Sequence, residues 1–243
     1  MITRVSGFFV LVLMACSLAG CGGGAGGGMG GSAVEPLSTD DLAAVEAVLL
    51  ADRIDAAQAL PVSASVVADL APAEGADPVL ANDDTPIQRR GRAYRARRQT
   101  GGWQVQRGAG SCPVAVDRTP AGWRIQAGTE TCTATRAEDG SLIITRGNGT
   151  QMTIGQIPAD GGSTTLTIGQ SRWQVVFGTG EAPLATLTNT RTGRTLTVTE
   201  SDTGELTVVP AGGSAFPGRW SAEGELACSD LASGRQYRYR GGR

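Results

Sequence analysis

The sequence predicts a mainly β protein: an antiparallel meander closed as a barrel or a sandwich, preceded by a short region that is helical or partly disordered. Three observations carry this reading. From Trp103 onward apolar and polar residues alternate, as in Leu166/Ile168, Trp173/Val175/Phe177, Leu196/Val198 and Leu206/Val208. That is the period of a strand with one face in a core and the other in water. Turn dipeptides separate the runs at Asp139-Gly140, Asn148-Gly149, Asp160-Gly161, Thr192-Gly193 and Thr203-Gly204, and hairpin turns of the primed types need positive φ at such positions. Eight of the nine aromatic residues after residue 20 lie beyond residue 100, Tyr94 being the exception, so the large side chains that fill a core belong to this part. The runs amount to about ten short strands with threonine-rich exposed faces.

The elements follow in chain order. Residues 1–20 have the build of a signal peptide, with Arg4 ahead of an apolar run from Phe8 to Ala15 that is too short to span a bilayer. The run closes on Leu18-Ala19-Gly20-Cys21, which resembles the lipobox of bacterial lipoproteins. The resemblance implies thioether lipidation of Cys21, cleavage before it and acylation of the new amino terminus, which together exceed the two signals that stable anchoring needs. Gly22 rather than Asp follows the lipidated position, a pattern similar to that of lipoproteins sorted to the outer membrane of diderm bacteria. The expected location is therefore the cell envelope, held to the membrane through Cys21. Residues 21–33 are a tether with eight glycines among Gly22–Gly31, reaching on the order of 20 Å as a flexible coil.

Residues 34–84 carry 11 acids against Arg53 alone and are rich in alanine. Ser38-Thr39-Asp40-Asp41 reads as a capping box, Leu42, Val45, Val48 and Leu49 recur at helical spacing, and Pro61 ends the helix. A weaker helical run covers 63–71. The apolar face is thin, which predicts a helix that packs loosely. Residues 85–100 read as an arginine-rich linker: Arg89, Arg90, Arg92, Arg95, Arg97 and Arg98 fall together with no acid among them. Guanidinium forks match phosphates and other anions, so this run is the candidate contact with an anionic envelope surface. The β-domain is expected over 101–243, where 13 arginines balance 12 acids.

A short repeat lies at the start of that domain. Gly102-Trp103-Gln104-Val105-Gln106 leads to Cys112, and Gly122-Trp123-Arg124-Ile125-Gln126 leads to Cys132; Gly218-Arg219-Trp220 with Cys228 is a looser copy. Three thiols in an exported protein allow three single pairings. The equivalent repeat positions favour Cys112–Cys132, whose loop of ~20 residues would add roughly 3 kcal/mol.

Composition restricts the chemistry. The chain has no His, and all 21 basic residues are Arg. This excludes imidazole bases, Ser-His-Asp triads, Schiff-base lysines and P-loops. Without His, a close Cys pair or a fourth thiol, no metal site is expected. Glu223 and Glu225 could share a strand face, but two solvated acids account for them. The expectation is a non-enzymatic protein with no catalytic residue and no cofactor, partnered by the membrane and by an envelope protein or a protease, with no nucleic acid.

The Trp103-to-Cys112 stretch, the Trp123…Cys132 spacing and the Asp139-Gly140-Ser141-Leu142 hairpin resemble the bacterial metalloprotease-inhibitor family, over residues 101–180. The resemblance implies an eight-stranded β-barrel, a disulfide on Cys112 and Cys132, and protease inhibition as the alternative function. That family inserts a short free N-terminal segment into its target, whereas a long acidic and arginine-rich region precedes the domain here and about 60 residues follow the matched stretch.

Overall fold

The computed structural model describes residues 36–60, 85–99 and 102–241. The capping box forms at the predicted place: Asp41 N–H donates to Ser38 Oγ at 3.1 Å and Ser38 N–H donates to Asp41 Oδ2 at 2.8 Å. The reciprocal pair satisfies two of the donors orphaned at a helix start. It opens α1, Thr39–Gln58, whose 20 residues extend about 30 Å.

All the rest of the regular secondary structure among the described residues is sheet. The first eight strands are β1 (Thr85–Arg89), β2 (Arg92–Gln99), β3 (Gly102–Gln106), β4 (Val114–Thr119), β5 (Gly122–Ala127), β6 (Glu130–Arg136), β7 (Leu142–Arg146) and β8 (Gln151–Ile154). The second eight are β9 (Gly162–Ile168), β10 (Ser171–Phe177), β11 (Ala185–Asn189), β12 (Thr195–Glu200), β13 (Glu205–Pro210), β14 (Phe216–Trp220), β15 (Glu225–Ser229) and β16 (Gln236–Arg240). They form one sixteen-stranded sheet in strict chain order, with every neighbouring pair antiparallel; Trp173, for example, lies opposite Leu166 on one side and Asn189 on the other. The mainly β, antiparallel meander is as the sequence predicts, but residues 102–241 hold fourteen strands, β3–β16, where the pattern predicts about ten, and β1 and β2 precede them.

The sheet curls with its apolar face inward. In β10 Trp173, Val175 and Phe177 are buried, while Arg172, Gln174 and Val176 point out. The five predicted turn glycines, Gly140, Gly149, Gly161, Gly193 and Gly204, all have positive φ. Curling brings turns of the first half of the sheet onto turns of the second. Gly180 N–H donates to Arg90 O at 2.8 Å, Gly110 N–H to Thr203 O at 3.3 Å, and Thr129 N–H to Glu223 O at 3.3 Å. Three turns, β1–β2, β3–β4 and β5–β6, thus meet the loops β10–β11, β12–β13 and β14–β15 along a seam.

Glycine makes this seam possible. At Gly128, with φ +59°, a Cβ would lie 2.1 Å from the Glu223 carbonyl carbon. Gly128→Ala should therefore cost about 2–4 kcal/mol, from positive φ and from overpacking against backbone that cannot rotate away. Urea unfolding of the two proteins measures it, and an unchanged midpoint would show that the seam opens freely.

The helix occupies the interior of the curl. It contacts β1, β3, β4, β9 and β16, and every residue from Asp41 to Ala56 is buried. The expectation of a thin apolar face and loose packing is corrected here. A helix buried on all sides needs no apolar stripe. Its alanines, Ala43, Ala44, Ala47, Ala51 and Ala56, let strands approach from several directions, with Val45, Leu49 and Ile54 filling the gaps between them. The second correction concerns the linker expected over 85–100: its described residues, 85–99, form a β-hairpin, β1–β2, and the described sheet begins at Thr85. Ile87, Tyr94 and Ala96 are its buried apolar residues, too few for period two to stand out among arginines.

Candidate functional site

The structure divides the six arginines of the predicted anionic-surface run. Arg89, Arg90 and Arg92 turn inward or along the seam, and Arg95, Arg97 and Arg98 are exposed. The inner group answers the acids of α1. Arg90 donates to both Asp52 and Asp55, the latter at 2.7 Å, and its guanidinium lies over the Phe177 ring at 4.9 Å. Arg89 donates to both Asp55 oxygens, at 2.9 and 3.2 Å. Arg92 donates to the carbonyls of Ala182 and Pro183 at 2.5 and 2.9 Å. These three are therefore unsuited to a surface contact, because their charge is spent on the helix and on loop carbonyls. Arg90 holds φ 49° and precedes Gly91 at φ 69°, the geometry of a primed hairpin turn, and the turn places its side chain over the two aspartates.

The rest of the helix is matched in the same way. Arg53 is fully buried and donates to Asp52 at 2.7 Å and to Glu200 at 2.5 Å. Burial works against its charge, but Glu200 and Asp52 outweigh it and hold the guanidinium protonated above its usual range. The Tyr94 hydroxyl donates to Asp52 at 3.0 Å, and burial followed by the Asp52 charge pushes its pKa up. Arg146 donates to Glu46 and, at 3.0 Å, to Tyr239 Oη. Arg194 lies 3.0 Å from Asp41. Charges taken out of water must be paired and hydrogen-bonded, and these pairings fix the depth and rotation of α1 within the sheet.

Cys112, Cys132 and Cys228 are free thiols and all buried. The expected Cys112–Cys132 bridge is not formed, and the register explains why. Cys132 lies opposite Ile125, which lies opposite Val116. It is thus two strands, roughly 9.5 Å, from β4, while Cys112 lies before the start of β4, four residues along the chain from Val116. A disulfide needs Cα atoms within about 7 Å. Burial pushes all three thiols up to about 12, so little thiolate is present for reaction.

The outer face of β2–β6 presents a different chemistry. Here Arg97, Gln104, Ala115, Gln126 and Thr131 stand side by side on five successive strands. The adjacent row is Gln99, Gly102, Asp117, Arg124 and Thr133. Ala115 and Gly102 leave the middle low between longer side chains. Two clefts result, one of about 220 Å³ at Arg95, Arg97, Gln104 and Gln106, and one of about 470 Å³ at Gln99, Ala115, Asp117, Arg124, Gln126 and Thr131. Sequence reading did not assign Gln104, Gln106, Arg124 and Gln126. Their signal was the repeat itself: in Trp103-Gln104-Val105-Gln106 and Trp123-Arg124-Ile125-Gln126 the second and fourth residues face out on strands flanking β4. A third, smaller cleft of about 160 Å³ lies where Gln58 at the end of α1 meets Arg89, Arg136 and Gln156, with Arg136 already donating to Gln58 and Gly140 at 2.7 Å each.

Among the described residues no group of three or more acidic or cysteine side chains is placed to hold a metal ion, and no helix is long and apolar enough to cross a membrane. The signal peptide, Cys21, the glycine tether and the 63–71 run lie outside the described residues. No family model, curated protein or solved structure matches this chain.

Proposed function

We propose that this protein is a lipid-anchored lipoprotein of the bacterial cell envelope whose sheet serves as a non-catalytic binding surface. The observation that carries the anchoring is Leu18-Ala19-Gly20-Cys21 at the end of a signal-length apolar run, followed at once by the glycine tether. The geometry of the β-domain supports the binding role. Its clustered charges are spent in holding α1, while its outer face offers rows of threonine, glutamine and arginine side chains. Thr165, Gln174, Thr188 and Thr195 form one such row, and Thr135, Ile143, Thr153, Thr167 and Arg172 another. A broad polar face on a rigid sheet suits recognition of an extended partner, because neighbouring groups are held at the fixed spacing of the strands.

Labelling with a radioactive or alkyne-bearing palmitate in a diderm host tests the anchor. The wild-type protein should take up label and sediment with membranes. Cys21→Ala should lose the label entirely and appear in the soluble fraction. Equal labelling of the two proteins would overturn the reading.

A further inference from the structure

We infer that Arg92 and Arg107 hold a small monovalent anion, of the size and charge of chloride, at the seam where the β3–β4 turn meets the β10–β11 and β12–β13 loops. This site is separate from the lipid anchor and from the outer face of the sheet, and it depends on neither.

The strands bring the two arginines together. Arg95 lies opposite Gln106, so in the continued register Arg107 is level with Tyr94, and Arg92 is its diagonal neighbour on the inner face. Diagonal neighbours on paired strands lie about 7–8 Å apart, within reach of long side chains. Both are buried, Arg92 to 2 % exposure and Arg107 to 8 %. Burial first and then the Arg107 charge push the pKa of Arg92 down, as expected of two like charges close together out of water.

Their donors are incompletely met. Arg53, Arg90 and Arg146 each leave Nε without an acceptor, but their terminal nitrogens hold carboxylates. Arg92 instead donates through Nη2 to the carbonyls of Ala182 and Pro183, and makes no ion pair among the described residues. Arg107 donates through Nη2 to Asp202 at 3.0 Å, and that carboxylate reaches it from solvent, its side chain being 84 % exposed. Nε of Arg92 and both Nε and Nη1 of Arg107 meet no acceptor among the described residues.

The charge balance points to an anion. Five arginines gather here, Arg53, Arg89, Arg90, Arg92 and Arg107, against four acids, Asp52, Asp55 and Glu200 inside and Asp202 at the surface. Glu181, next to Ala182, is exposed and makes no ion pair among the described residues. Arg219, whose guanidinium comes close to Gly110, stands directly opposite Glu205 and adds no net charge. A buried charge must be both neutralised and hydrogen-bonded. A monovalent anion does both for the leftover guanidinium, whereas a dianion would overshoot by one charge and be costlier to dehydrate. The anion must be small, because the seam is closely packed here: a Cβ at Gly108 would lie 2.4 Å from the Thr203 carbonyl carbon. Held between Arg92 and Arg107, it would join the carbonyls of the β10–β11 loop to the Asp202 turn, so that anion concentration tightens the seam.

The test follows urea unfolding of the mature chain as sodium chloride replaces sodium gluconate at constant ionic strength. An anion bound by the native state alone should raise the folding equilibrium constant, by about tenfold per tenfold of chloride once the site is well filled. Arg107→Gln should abolish this dependence. Asp202→Asn removes the carboxylate that competes for Arg107, and should lower the chloride concentration needed about fivefold. Arg95→Gln, on the outer face of β2, should leave the dependence unchanged. The width of the chloride-35 resonance reads binding on the folded protein: wild type should broaden it and Arg107→Gln should not. Should Arg107→Gln fail to fold, wild type and Asp202→Asn still decide the matter through both readouts. An equal chloride dependence in wild type and Arg107→Gln would mark a general salt effect and overturn the proposal. So would a wild-type chain that responds to chloride in neither readout, or weaker chloride dependence in Asp202→Asn.

Discussion

Arg53→Met should destabilise the protein by about 3–5 kcal/mol, the cost of removing one partner from a fully buried ion pair. Arg53 is 0 % exposed and Glu200 3 %. Glu200 Oε1 accepts from Arg53, and its Oε2 has no hydrogen-bond partner in the fold, so nothing else is in place to take up the carboxylate. Asp52 fares better, since Arg90 and the Tyr94 hydroxyl remain. The double variant Arg53→Met/Glu200→Met should recover most of the loss, because apolar residues of similar volume avoid the desolvation that both ions incur. Urea unfolding of wild type, both single variants and the double variant gives the coupling energy directly. Losses that simply add would show that the pair contributes nothing as a pair.

Stability should also fall as pH rises from about 4.5 to about 7, with Glu46 as the source. Its carboxyl is buried between α1 and β7, and burial raises its pKa to about 7 against the lowering effect of Arg146. Glu130 adds to the rise, and the Gly241 backbone opposes it. The native state therefore binds a proton that the unfolded chain releases near 4.5. An acid raised in this way contributes most at low pH, and the contribution is lost as pH climbs through the window between the two values. The difference amounts to about 3 kcal/mol between pH 4 and pH 8. Glu46→Gln, which keeps the shape and removes the titration, leaves Arg146 without its carboxylate, so it should start below wild type near pH 4 but lose little of its stability between pH 4 and pH 8. Unfolding midpoints of both proteins at several pH values check this. A gap independent of pH would show that Arg146 holds Glu46 ionised throughout.

What could be read from the sequence depended on how each element buries its residues. Strands with one wet face, such as β10 and β12, announce themselves by alternation, and hairpin turns by glycine at positive φ. The β1–β2 hairpin did not, because its inward positions hold Arg90 and Arg92 beside Tyr94 and Ala96, and a buried arginine looks like a surface one until its acid is found. Those acids, Asp52 and Asp55, are more than 30 residues away in sequence. The start of α1 was legible from Ser38 and Asp41, since capping is local. Its environment was not: alanine with scattered charge describes a weak surface helix as well as one enclosed by a sheet, and only the positions of Arg90, Arg146 and Glu200 distinguish the two. The Trp–Gln repeat is plain in the sequence, and its Cys positions suggest a bridge. Strand register decides otherwise, placing Cys132 two strands from β4 and Gln104 and Gln126 on either side of Ala115.

The enclosed helix also sets the order in which the chain can fold. Each strand pairs with its neighbours in sequence, so the meander can grow hairpin by hairpin through short loop closures at little entropic cost. The helix is different. It precedes every strand, yet Arg53 meets Glu200 across 147 residues and Glu46 meets Arg146 across 100. Its charges stay in water until the later strands arrive, and the seam between the two halves of the sheet cannot close before then. The contacts thus divide into local strand pairings and one non-local capture of α1, which closes the longest loops. The ion pairs made in that last step act on the rate at which the native protein opens, more than on the rate at which its strands first assemble.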